Sequence, residues 1–242
     1  MSTSSSAVEM RSGLFRTSLY VEKLKLAFSQ FFVKSPEGEL LCVETGMRAT
    51  FPELARQLGA LGLSAAQVGS IVVPHFEADE MGALPEFLAA NPRLTAYAHP
   101  ICTHALADLF EVRAKPLKDG APVTLSGTEV VPLFATHVHQ WDSLVVYLPA
   151  YRTLLSSDLF MSHGDVATPH DDPVAAIVAS IEKSGYLPSL RHFAAALRKI
   201  RALDLDLILP MHGPAITHDI PRVISDLLDY CEQASTAEAR RA

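Results

Sequence analysis

The chain has 242 residues, 49% hydrophobic and 19% charged, which describes a soluble globular protein with one large core or two small ones. A formal charge of −7 speaks against nucleic acid or an anionic membrane as the main partner. Three scattered cysteines, Cys42, Cys102 and Cys231, suggest no disulfide framework. With no signal-peptide pattern and no apolar run of membrane-spanning length, a cytoplasmic chain is expected.

Residues 1–13 are Ser-rich and read as a flexible leader, with a single domain over 14–242. Strand pattern begins at Leu14, and residues 28–34 and 39–44 form a predicted hairpin around Ser35-Pro36-Glu37-Gly38. Thr50 caps a predicted helix running to about Leu61, with Pro52 and Glu53 in its first turn. A short buried strand, 70–73, precedes a second helix at about 83–90 and a strand near 94–98. Residues 112–155 are mostly strand. From Asp172 the chain turns helical over 173–183 and 188–203, then gives a short strand at 205–209 and a last helix at 220–233. The economical architecture is a two-layer mixed sheet flanked by helices in one domain, an α/β fold.

Polar residues cluster where predicted strands stop. After Pro74 come His75, Glu77 and Asp79 at alternate positions, an imidazole with hard oxygen donors, which suits a first-row metal; the bland alternative is a polar surface turn. Thr136-His137-Val138-His139-Gln140-Trp141-Asp142-Ser143 lies between strands. Asp158 ends an apolar strand, where a carboxylate costs several kcal/mol unless paired or coordinated. His212 follows the strand at 205–209 in the same way. Strand ends at one rim are where α/β folds build their sites.

This order of motifs resembles the di-iron branch of the metallo-β-lactamase superfamily, the flavodiiron proteins and their single-domain oxygen-binding relatives. The hydrolase motif of that superfamily is His-x-His-x-Asp-His; the di-iron branch has Glu at its third position, as in His75-Phe76-Glu77-Ala78-Asp79. The His-Trp-Pro-Asp-Ser segment of the branch is matched by His139-Gln140-Trp141-Asp142-Ser143, its Asn/Ser-Asp-x-Phe by Ser157-Asp158-Leu159-Phe160, and its His-Gly-Pro by His212-Gly213-Pro214. The resemblance implies an αββα metallo-β-lactamase-like sandwich. It also implies two iron ions, with zinc or manganese as alternatives: one takes His75, Glu77 and His139, the other Asp79 and His212, and Asp158 bridges them. The chain departs from the pattern at Glu80, where the family has His. Glu80 is weighed as a ligand, as an acid beside the metals that donates a proton, or as a solvent-facing residue at a helix start. No flavodoxin-like flavin domain is expected in this chain, so a reductant is expected from elsewhere.

Of the remaining residues, His139 is favoured over His137 as a ligand by its motif. His163 is weighed as pocket-lining, and Cys102 with His104 is read as structural. Phe76 and Trp141 are expected to wall the site from water, and Asp142 and Ser143 to tie the His139 loop by local hydrogen bonds. The functional expectation is a di-iron protein that binds or reduces dioxygen or nitric oxide, as sensor, carrier or reductase. Its expected partners are a small diatomic ligand and a separate redox donor or signalling partner, with a homodimer allowed. A two-metal hydrolase of thioesters, lactones or phosphoesters is the alternative, and a metal-free binding module a third reading.

Overall fold

The computed structural model describes residues 3–239, so residues 1 and 2 of the expected leader lie outside the described residues. Four antiparallel strands open the fold: β1 (Thr3–Arg11), β2 (Leu14–Val21), β3 (Leu26–Lys34) and β4 (Leu40–Val43). Helix α1 (Phe51–Ala60) leads to β5 (Val68–Val72). A single helical turn α2 (Ala78–Met81) and α3 (Leu84–Ala90) lead to β6 (Thr95–Ala98), and α4 (Thr103–Phe110) leads to β7 (Arg113–Pro116). From β4 to β7 the strands are parallel, as helical crossovers require. The seven strands form one sheet in chain order.

The second sheet holds β8 (Val123–Leu125), β9 (Thr128–Phe134), β10 (Leu144–Leu148), β11 (Thr153–Leu155) and β12 (Leu207–Leu209), in the order β12-β11-β10-β9-β8. Helices α5 (Pro173–Ser184), α6 (Leu190–Ile200) and α7 (Ile220–Ala239) follow β11 and flank β12 in sequence.

Alternation along the strands sorts the core into layers. On β4, Leu40 and Cys42 join Leu54 and Leu58 of α1 and Leu84 and Phe87 of α3. Leu41 and Val43 point the other way, among Leu144, Val146, Leu155 and Leu209 of the second sheet. Behind that sheet, Val145 and Leu154 meet Ile177, Phe193, Leu197 and Leu227 of the outer helices. Each fully buried side chain of this kind contributes about 1.5–3 kcal/mol relative to exposure. The layers are helix, sheet, sheet, helix: the expected αββα sandwich. No helix among the described residues is long and apolar enough to cross a membrane.

The elements fall close to their expected places, with two differences. Thr50 does not cap α1 through its side chain; its hydroxyl donates to the Met47 carbonyl instead, at 2.9 Å. The segment read as a leader forms β1, paired with β2 from Thr3↔Val21 to Arg11↔Leu14. Its serines offer no apolar face for a pattern to reveal, yet an edge strand needs only backbone partners. Arg11 also pairs with Asp206. Deleting residues 1–11 is therefore expected to lower the melting temperature by about 3–6 °C, equivalent to roughly 1–2 kcal/mol in a chain of this size. Calorimetry checks this, and an unchanged transition would return the segment to the role of a leader.

The parallel and antiparallel pairings bring the ends of β4, β5, β9, β11 and β12 to one rim. Two backbone bonds join the sheets there, Leu144 N–H to Pro74 O at 2.9 Å and Ser29 N–H to Met211 O at 3.1 Å.

Candidate metal centre

Pro74 has no N–H with which to extend β5, and the chain turns out of the sheet at His75. His75 is buried. Its Nε2 lies 3.1 Å from Glu77 Oε2 and 3.7 Å from Asp158 Oδ2. Glu77, in extended backbone, precedes α2, whose one turn carries Asp79 and Glu80. The other side chains come from the second sheet: His139 from the loop between β9 and β10, Asp158 just past β11 and His212 just past β12. His139 Nε2 is 3.0 Å from both Glu77 Oε2 and Asp158 Oδ2. Donor atoms of His75, Glu77, His139 and Asp158 all lie within 4.8 Å of one another. On the far side, His212 Nε2 is 3.3 Å from Asp158 Oδ1 and 3.5 Å from Asp79 Oδ2. Asp158 thus turns one oxygen to His139 and the other to His212. Of the six residues singled out for metal binding, four form one cluster, and Asp158 joins it to His212, which in turn faces Asp79.

Surrounding groups fix their orientation. His212 donates its Nδ1–H to the Ala27 carbonyl at 2.7 Å, which leaves the Nε2 lone pair facing the carboxylates. Gly213 next to it sits at φ +102°, and a Cβ there would lie 2.2 Å from Ser162 Oγ, so only glycine fits. Arg16 on β2, almost fully buried, holds the same loop by donating to Pro210 O (3.1 Å) and Gly213 O (2.6 Å). Tyr186 donates its hydroxyl to the Asp158 carbonyl at 3.1 Å and sets its ring edge-on to His139.

Glu80 does not face solvent, as a helix-start residue would: it is fully buried. Its Oε1 accepts from Ser157 Oγ at 2.9 Å and lies 3.5 Å from His75 Nδ1, the side of that ring turned away from Glu77. Ser143 ties the His139 loop locally, accepting from Gln140 N–H at 3.0 Å. Asp142 does something different. It accepts from Phe76 N–H and from the Cys102 thiol, both at 2.9 Å, and so links that loop to the first sheet. Cys102 thereby pairs with Asp142 rather than with His104. Trp141 is 54% exposed and does not wall the site; Phe28, edge-on to His212, lies against it. His137 packs against His192, and His163 bonds to Ser180 within reach of the charge of His212.

The electrostatics are those of carboxylates crowded out of water. Hydrogen bonds from His139 and His75 hold Glu77 well below the usual carboxylate range. Burial opposes the charge on Asp158, but His212, His139 and His75 overcome it and bring its pKa down to about 2. Burial likewise opposes charge on His139, and Asp158 with Glu77 raises it to about 10. Glu80 is pushed well up by burial and then by Glu44, Asp158 and Asp79.

Two residues of this region escaped the sequence reading. Glu44, just past β4, is fully buried, and burial with Asp158 and Asp79 pushes it well up. Arg16, its cationic neighbour, is lowered by burial to about 10. The signal for Glu44 was present, an acid ending an apolar strand like Asp158, but it was absorbed into the strand. Buried oxygens of Glu44, Glu80 and Asp158 have no hydrogen-bond partner, and a cation is what such orphaned acceptors fit.

Sequence comparison places the chain among related proteins. Type A flavoprotein fprA of Rhodobacter capsulatus is 32% identical over 158 residues, 62% of this chain and 36% of that protein. The chain therefore spans little more than a third of the length of that relative. A flavo di-iron protein mutant from Thermotoga maritima has a similar structure, with a TM-score of 0.82 at 15% identity, covering 94% of this chain and 62% of the other. The structure described as the peroxy diiron species of chemotaxis sensor ODP gives a TM-score of 0.73 at 17% identity, covering 94% of this chain and 93% of the other. At such identities the likeness is one of fold. The sequence profile described as ODP family beta lactamase matches residues 26–213, most of the chain, and the protein belongs to that family.

Proposed function

We propose that this protein holds two iron ions and uses them to bind or reduce a small diatomic molecule, dioxygen first and nitric oxide as a competitor. The observation that carries the reading is Asp158, whose two oxygens face opposite histidines, Oδ2 toward His139 and Oδ1 toward His212. Two cations in one pocket repel, and a shared anion between them offsets the repulsion. His75, Glu77 and His139 would hold one ion, Asp79 and His212 the other. Glu77 in place of a third imidazole makes the set harder and suits iron or manganese better than zinc. The named relatives, a flavo di-iron protein and an ODP sensor, support the same choice.

Ferrous ions held by these residues would supply electrons to the diatomic, and the chain supplies the rest. His75 and His212 are held in single orientations by Glu80 with Ser157 and by the Ala27 carbonyl. Phe28 packs edge-on against His212 on one side, while Glu77, with a side chain 42% exposed, marks the open side. The Glu80 carboxyl, its pKa pushed well up by burial and its anionic neighbours, stands beside the cluster where a proton donor would serve. Electrons for turnover would come from a separate donor.

Elemental analysis of protein purified without added metal tests the metal content, with about two ions per chain expected, mainly iron. Anaerobic ferrous protein is then mixed with dioxygen and followed optically. An absorbance change on mixing is the expected result. No change, together with zinc-supported thioester or phosphoester turnover, would replace this reading by the hydrolase one.

A further inference from the structure

Glu44 takes no part in the ligand set described so far, yet it is among the most constrained residues at the rim. Its side chain is fully buried, and neither carboxylate oxygen has a hydrogen-bond partner. Its backbone is left-handed at φ +67°, a conformation that a non-glycine residue keeps only when its surroundings hold it there. Two backbone bonds do so. Glu44 N–H donates to Val72 O at 3.1 Å, and Thr45 N–H donates to Glu80 O at 2.8 Å. The end of β4 is thus stitched to the end of β5 and to α2, the elements that carry His75, Asp79 and Glu80.

The charges acting on Glu44 are those of Asp158, Asp79 and Arg16. Arg16 gives its hydrogen bonds to Ser29, Pro210 and Gly213, none to Glu44. Asp79 and Asp158, two of the residues singled out for metal binding, are thus its anionic neighbours, and Arg16 leaves both its oxygens without a donor. A buried carboxylate without any donor is stabilised by a cation against it.

We infer that Glu44 supplies an oxygen donor to the second cation position, beside Asp79, Asp158 and His212. The inference rests on the two-metal reading above and sharpens it. The two positions are chemically unequal: the first has two imidazoles, whereas the second has one imidazole among carboxylates. An oxygen-rich position of that kind suits a hard divalent ion such as iron(II) or manganese(II).

Manganese(II) is the probe, since free and bound ion are separately counted by electron paramagnetic resonance. Metal-free full-length protein is titrated, and its melting temperature is followed with and without the ion. Wild type is expected to bind about two ions per chain. Glu44→Gln, similar in shape but uncharged, is expected to keep the first ion and bind the second about 10–100-fold more weakly. Its metal-free form should melt close to metal-free wild type, while its rise on adding manganese is smaller. Equal stoichiometry and affinity in the two proteins overturns the inference. So does an equal drop in melting temperature with and without manganese, the mark of a purely structural residue. Should Glu44→Gln fail to fold, Glu44→Asp keeps the charge but draws it back by one methylene. A weakened second ion in that variant supports the assignment, and an unchanged one overturns it. Wild type that binds fewer than two ions sinks the two-metal reading itself, which separates the two failures.

Discussion

Replacing Asp158 with Ala is expected to empty both metal positions together, taking the content from about two ions per chain to nearly none. The reason is geometric. Asp158 is the residue whose two oxygens face both histidine groups, His139 through Oδ2 and His212 through Oδ1. Without it each ion loses a ligand and the pair loses the anion that offsets its repulsion. His212→Ala is the contrast. It should leave about one ion, since His75, Glu77 and His139 lie outside the change. Elemental analysis after exhaustive dialysis reads both variants. Two tightly held ions in Asp158→Ala would show that the carboxylate does not bridge.

The second large effect belongs to Glu80. Its Oε1 receives Ser157 Oγ–H and stands behind His75, on the Nδ1 side. Partners of this kind set the tautomer and tilt of a ligating imidazole, and losing one typically weakens metal binding about 10–100-fold. Glu80→Ala is therefore expected to weaken the ion held by His75, while Glu80→Gln, which still accepts from Ser157, weakens it less. Carrying both changes in a His212→Ala background isolates the first position, and competition with a chelator gives the affinity. A loss confined to the other position, seen only when His212 is present, would make Glu80 a direct ligand there. No loss at either would leave it a buried filler.

How much of this was legible in the sequence depends on what each residue must do. Strands that are apolar on both faces, such as Leu40–Val43 and Leu207–Leu209, announce themselves because both sides of a sandwiched sheet need filling. Ligands at strand ends were readable for the same reason, as polar residues interrupting apolar runs. β1 was not, because a Ser-rich edge strand is held by backbone bonds that leave no periodic trace. Arg16 was invisible too. A single cation in a strand looks like a solvent-facing residue until the fold shows it bonded to two carbonyls of the His212 loop. The placement of Glu80 followed from α2 being only one turn long, which swings that carboxylate inward under Ser157 instead of along a helix surface. Trp141 failed as a wall because its loop is turned by Asp142 reaching across to Phe76, which sends the indole outward.

The six converging residues divide evenly between the halves of the molecule. His75, Glu77 and Asp79 follow a strand of the first sheet, and His139, Asp158 and His212 come from the second. Neither half owns a complete set, so a cation gripped by both becomes a rivet through the seam between the sheets. Stabilisation by a ligand grows with its saturation, about 4 kcal/mol at a thousand times the dissociation constant. A cation bound here would add that amount to the docking of the two layers. Nucleation of either sheet would proceed without the ion, and capture would come last, once residues far apart in the chain have been brought face to face. Stripping the metal would then leave the apolar core between the sheets, with Leu41 and Val43 against Leu144 and Leu209, to hold that seam alone.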